Sequence, residues 1–153
     1  SSVGSRAALV GHMVESDRAP PPSFFEEAYQ YEKGAPWDIG VPQFSLEVAV
    51  EDGEVLGPRV LDIGCGSGDN AVLLAQKGFN VTAFDLVEAA VELAEERVEV
   101  AGQLAGSVRV HKADVFRLGD VPEIGAAIFD TAVDLAVFHG IGDNSDQARY
   151  IDV

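Results

Sequence analysis

The chain predicts an α/β fold in which a mostly parallel, doubly wound sheet is flanked by helices. Three observations predict it. An apolar strand runs through closely spaced glycines into a helix over residues 59–70, three later apolar stretches each end in an acid or another polar group, and Ala- and Glu-rich helical segments lie between them.

The N-terminal part is set apart from this pattern. Residues 1–12, up to His12, are read as an expression leader before a native start at Met13, and they lack the apolar core of a signal peptide. Residues 13–45 are read as an arm. Pro20-Pro21-Pro22 is a stiff extended linker, and Phe24 to Glu32 places Phe24, Phe25, Ala28 and Tyr31 on or near one face of a short amphipathic helix. Trp37 then stands in a proline-flanked segment, Ala35-Pro-Trp-Asp-Ile-Gly-Val-Pro-Gln43.

The main domain is read over residues 46–153. Val60, Leu61 and Ile63 form the apolar end of its first strand, and Gly64, Gly66 and Gly68 allow a tight turn whose backbone a ligand can approach. Asp69 or Asn70 is expected to cap the helix through Ala71 and Ala75, with Lys77-Gly78 as its basic last turn and stop. Phe79 to Phe84 alternates as a second strand ending in Asp85. A helix follows with Glu88, Glu92, Glu95, Glu96 and Glu99 on a solvated face and Ala89, Val91, Leu93 and Ala94 toward the sheet. Val108 to Ala113 gives a third strand ending in Asp114-Val115, and Phe129 to His139 gives a fourth, carrying Asp134 and Phe138. Asp143 to Asp146 starts a further helix that runs toward Val153.

Glycine spacing distinguishes two cofactor classes. The dinucleotide pattern G-x-G-x-x-G would need glycine where this chain has Asp69; the spacing here is G-x-G-x-G, with Asp62 two residues before Gly64. Asp85 lies 17 residues after Gly68, close to the roughly 20 at which nucleotide-binding folds place an acid for the ribose hydroxyls. With the four ordered strand ends, this segment resembles motif I of the class I S-adenosylmethionine (SAM)-dependent methyltransferases, and the resemblance covers about residues 24–152. It implies a Rossmann-like sheet of seven strands, six parallel and the last antiparallel. Four are placed here, so the domain reads as truncated after the fourth strand, its edge completed by a longer chain or by a partner subunit.

The resemblance also implies a cofactor site. Asp62 would face the α-ammonium group of SAM. Gly64, Cys65, Gly66, Gly68 and Asn70 would form the turn against it, with Cys65 as a neutral packing residue. Asp85, next to Leu86, would hold the ribose. Asp114 and Val115 correspond to the position meeting adenine, where Asp114 could instead cap a helix or turn. Phe138 would stand beside the transferring methyl group. The Trp37-Asp-x-Gly segment is similar to one in the thiopurine, thiol and tellurite-resistance-like branch, where the aromatic helps close the methionine end of the cofactor. An indole face can favour a sulfonium cation, and Trp37 can equally anchor the arm to the core.

The reaction implied is in-line methyl transfer from SAM to a small-molecule acceptor, leaving S-adenosylhomocysteine (SAH). Alignment of the reactants supplies roughly 7–11 kcal/mol in favourable cases. A thiolate or halide acceptor needs no base, whereas a hydroxyl or amine would use His139 or Asp134. For His139 a plain structural hydrogen bond is the competing reading, and His111 is read as a strand residue. Two other functions stay open, a SAM- or SAH-binding domain without transfer and a dinucleotide-dependent oxidoreductase, which Asp69 disfavours.

Composition limits the partners. A formal charge of −16, from 26 acids and 10 bases, would repel a phosphate backbone, so no nucleic-acid partner is expected. Hydrophobic content of 47% fits a globular domain, and no apolar run approaches the roughly 20 residues of a membrane span. The lone Cys65 points to a cytoplasmic setting. His12, His111 and His139 lack metal-ligand spacing, so no metal site is expected. A homo-oligomer is possible.

Overall fold

The computed structural model describes residues 44–126 and 128–135, together with Pro42 and the helical pair Glu26 and Glu27. Trp37, Phe138 and His139 lie outside the described residues, as do the expected helix from Asp143 and most of the arm. In chain order the elements are α1 (Phe44–Glu51), β1 (Arg59–Ile63), α2 (Asp69–Gln76), β2 (Asn80–Asp85), α3 (Glu88–Ala101), β3 (Ser107–Lys112), a 3₁₀ helix (Val115–Asp120), α4 (Pro122–Gly125) and β4 (Thr131–Asp134).

All strand pairings among the described residues are parallel, in the order β3-β2-β1-β4. The chain steps outward from β1 through β2 to β3, then returns to place β4 on the other side of β1. That reversal is the point at which open α/β sheets form their ligand crevice. Burial reports the same position: Val60, Leu61 and Asp62 of β1 are buried on successive, opposite faces, as expected of a strand covered on both sides.

Two apolar layers enclose the sheet. On one face Val60, Val81, Ala83 and Val133 meet Leu46 of α1, Ala71 and Leu74 of α2 and Ala94 of α3. On the other, Leu61 and Phe84 pack with Ala113 and Ile124, beneath the 3₁₀ helix and α4. Leu74 is completely buried, a burial that contributes about 1.5–3 kcal/mol.

Local chemistry explains the boundaries. Helix α2 ends with the Gly78 N–H donating to Ala75 O and the Phe79 N–H to Leu74 O, both at 3.1 Å, a Schellman arrangement permitted by φ +97° at Gly78. This claims Phe79, so β2 begins at Asn80 and not at Phe79. In α3, Ala90, Val91 and Ala94 are buried behind the buried cap residue Val87. The spacing is that of one helical face, and it replaces the expected Ala89 with Ala90. Helix α1 was not expected, because Phe44-Ser-Leu-Glu-Val-Ala-Val-Glu51 alternates apolar and polar residues as a strand would. Packing of Leu46 against the sheet decides in favour of helix.

Candidate functional site

The glycine turn begins where β1 leaves the sheet. Gly64, Gly66 and Gly68 have φ of +64°, +54° and +87°, all in the left-handed region that side chains resist. Gly68 is also crowded: a Cβ there would lie 2.9 Å from the Cα of Ala94. The turn therefore sits directly on α3.

Gly68, not Asp69 or Asn70, is the N-cap of α2, and no side chain caps it. Asp69 and Asn70 are the first two helical residues. Asp69 is drawn sideways instead: Arg97 of α3 pairs with its Oδ2, and Arg97 Nη1 also donates to Ser67 Oγ at 2.7 Å. The Ser67 hydroxyl in turn donates to Asp69 Oδ2 at 3.3 Å. Neither Arg97 nor this network was anticipated from the sequence, since nothing in the spacing of residues 67 to 97 announces a contact between them.

Asp62 and Asp85 are brought together. Asp62 pairs in register with Ala83, two residues before Asp85, so both side chains belong to the same face of the sheet at the carboxyl ends of β1 and β2. Asp85 Oδ2 accepts from the Gly66 N–H and Oδ1 from the Val87 N–H, each at 3.0 Å. Burial raises the Asp85 pKa, opposed by its bonds from the Val87, Gly66 and Leu86 N–H groups. Asp62 is 2% exposed, and its Oδ2 is buried with no hydrogen-bond partner among the described residues. Desolvation pushes its carboxyl up to about 7, aided by the negative charges of Asp85 and Asp134. Cys65 is buried between the glycines, and burial holds its thiol far above the ordinary range, which makes it an inert packing group.

The other expected residues are more dispersed. Asp134 lies in register with Ile63, so its side chain belongs to the face opposite Asp62. Asp114 caps the 3₁₀ helix, its Oδ1 accepting from the Phe116 N–H at 2.9 Å, and Val115 opens that helix. Leu86, 43% exposed, is the apolar residue next to Asp85. A separate apolar cleft of about 120 Å³ runs between α1 and β4, lined by Leu46, Val48, Ala49, Val55, Val133 and Leu135. Neither Asp62 nor Asp85 lines it. Among the described residues no group of three His, Cys, Asp or Glu side chains could hold a metal ion, and no helix is long and apolar enough to cross a membrane.

A parallel sheet with its order reversed at β1, a glycine turn leaving that strand and an acid at the end of the next define a Rossmann-like nucleotide-cofactor fold. Residues 60–151 match the family model described as Methyltransferase domain. The chain belongs to this family, within the class I SAM-dependent methyltransferases, whose cofactor is SAM. Among characterised relatives, a 2-heptyl-1-hydroxyquinolin-4(1H)-one methyltransferase from Mycobacteroides abscessus is 31% identical over 106 residues, 69% of this chain and 44% of the relative. The S-adenosyl-L-methionine-dependent Diels-Alderase iliD of Neonectria sp. is 42% identical over 65 residues, 42% of this chain and 27% of the relative. A solved structure titled for the conversion of a disulfide bond into a thioacetal group during echinomycin biosynthesis superposes with a TM-score of 0.64 at 33% identity, covering 77% of this chain and 48% of that one. The chain thus spans less than half the length of each of these proteins.

Proposed function

We propose that the chain binds SAM at the β1–β2 strand ends and forms the cofactor half of an enzyme that methylates a small molecule. The observation that carries this reading is the buried Asp62 Oδ2 with no partner among the described residues, beside a glycine turn pinned to Asp85. A buried carboxylate oxygen without a donor is costly, and an ammonium group is the ligand that would relieve it. Asp62 would take the α-ammonium. Each Asp85 oxygen accepts one backbone bond and has a second lone pair left for a ribose hydroxyl. Leu86 and Val115 would flank the base, with Asp114 turning its second oxygen to the adenine amino group.

The bound cofactor supplies a methyl group already activated on a sulfonium. The residues of this chain hold and orient it and keep its amino acid end out of water. Phe138 would stand near the methyl group, and His139 or Asp134 would serve an acceptor that must lose a proton. The Trp37-Asp38-Ile39-Gly40 segment supports the thiopurine- and thiol-methyltransferase-like branch, and the charge of −16 supports an acceptor other than a nucleic acid. The lone cysteine supports a cytoplasmic protein.

Similarity to a SAM-dependent Diels-Alderase favours one second reading, SAM binding without methyl transfer. Calorimetric titration with SAH, and with NAD in parallel, tests the cofactor site. Micromolar or tighter binding of SAH alone is expected, and binding of NAD instead would overturn the assignment. Label transfer from methyl-labelled SAM to a panel of thiols, phenols and amines separates transfer from binding alone.

A further inference from the structure

We propose that the cleft between α1 and β4 is the seat of a segment of this same chain, the amphipathic stretch Phe24 to Glu32, docked as a helix antiparallel to α1. The proposal is independent of the cofactor reading.

Helix α1 is apolar on two sides. Leu46, 3% exposed, packs against the sheet. Phe44 and Val48 stand four residues apart, 78% and 37% exposed, and so form a stripe on another side of the helix. Val48 also lines the cleft, together with Ala49, Val55, Val133 and Leu135. Stripe and cleft are therefore one continuous apolar surface from α1 to β4, the kind of surface that a folded domain keeps for docking. Its two walls are tied together. The Thr131 hydroxyl, part of the lining, accepts from the Leu56 N–H at 2.9 Å and donates to the Leu56 carbonyl at 2.7 Å, while the Arg59 guanidinium forks onto Asp130. The start of β4 is thus fixed to the turn that follows α1, and the cleft is formed before anything docks.

Pattern and reach identify the occupant. The chain just before α1 carries a matching stripe, since Phe24, Ala28 and Tyr31 recur at helical spacing with Phe25 beside them. Glu26 and Glu27, between them, are helical and exposed. The 11 residues from Lys33 to Gln43 span up to about 36 Å when extended, three times the length of about 12 Å of an eight-residue helix such as α1. The segment can therefore turn back on α1 as the first arm of a helical hairpin. A second copy of the chain is the poorer occupant. Each chain carries a charge of −16, and Asp52 and Glu54 line this cleft, so two such faces repel. The arm avoids that conflict at Glu26, which falls on the opposite side of a helix from Ala28. Seating fixes both ends of the stretch that carries Trp37.

The test is disulfide trapping in the full 153-residue chain, whose native Cys65 is buried. Val48→Cys is combined either with Ala28→Cys, on the apolar stripe, or with Glu26→Cys, on the opposite side. Under mild oxidation the pair with Ala28→Cys should close an intramolecular disulfide about tenfold faster, because both pairs share one tether and differ only in the face they present. Adding Phe24→Ser and Tyr31→Ser should abolish the difference and open the cleft to a hydrophobic dye.

Equal rates for the two pairs would show that the segment does not sit on α1 by its apolar face. Disulfides that join two chains, at a rate rising with protein concentration, would give the cleft to a second copy. Either result overturns the proposal. Should Val48→Cys fail to fold, Phe44→Cys, at the more exposed position, takes its place in both pairs.

Discussion

The Gly66 N–H donates to Asp85 Oδ2 at 3.0 Å. This bond joins the turn after β1 to the turn after β2, and the Val87 N–H on Oδ1 fixes the second carboxylate oxygen. The acid proposed for the ribose is thus held in one rotamer before any ligand arrives, which reduces the ordering cost of binding.

Asp85→Ala is expected to weaken SAH binding about a hundredfold, since two charge-assisted hydrogen bonds would be lost. It should also lower stability by about 1–3 kcal/mol, because two backbone N–H groups lose their acceptor. Calorimetry and urea denaturation measure the two effects separately. Unchanged affinity in a folded variant would remove Asp85 from the site.

Asp62 makes cofactor binding depend on pH. Burial pushes its carboxyl up to about 7, and an ammonium group favours the ionised form, so binding below that pH expels a proton. SAH affinity should rise about tenfold between pH 6 and pH 8 and level off above. Asp62→Asn should bind more weakly and with a flat profile. Proton release follows from titration enthalpies in buffers of different ionisation heat.

The same raised pKa acts in the opposite direction on the ligand-free fold. Between about pH 4 and pH 7 the folded chain binds more protons at Asp62 than the unfolded chain does, so this residue makes stability fall as pH rises through that window. Asp62→Asn should be less sensitive to pH there, as read by denaturation midpoints at pH 5 and pH 7.5.

Gly68→Ala should destabilise by about 2–4 kcal/mol, combining a left-handed backbone with a Cβ 2.9 Å from Ala94 Cα. Gly53→Ala serves as the control. Gly53 has φ +73° but open space around a Cβ, so only the backbone cost of about 1–2 kcal/mol applies. Similar losses at the two positions would show that α3 does not constrain the turn.

The sheet and its acids were legible in the sequence because both follow from local pattern. Apolar stretches placed β1 to β3 within a residue of their observed bounds, and glycine spacing located Asp62 and Asp85. Features set by tertiary contact were not legible. Helix α1 carries a strand-like alternation that only its packing overrides. Asp69 has the chemistry of a cap, and it loses that role to an arginine 28 residues away. Asp114 could be read as a cap or as a ligand, and the Phe116 N–H shows that the cap is formed. The identity of the fourth strand as a neighbour of β1 comes from the long return of the chain, which no window of sequence displays.

That return has a consequence for synthesis. Val60 pairs with Thr131, and the Thr131 hydroxyl both accepts from the Leu56 N–H at 2.9 Å and donates to the Leu56 carbonyl at 2.7 Å. At translation rates of roughly 5–20 residues per second, the ribosome needs roughly 4–14 s to travel from one partner to the other. Once β2 has followed, β1 and β2 can zip together while the opposite border of β1, which includes the fully buried Val60, waits bare. A nascent chain of this kind gives a chaperone one defined strip to guard, and the arrival of β4 ends the need for it.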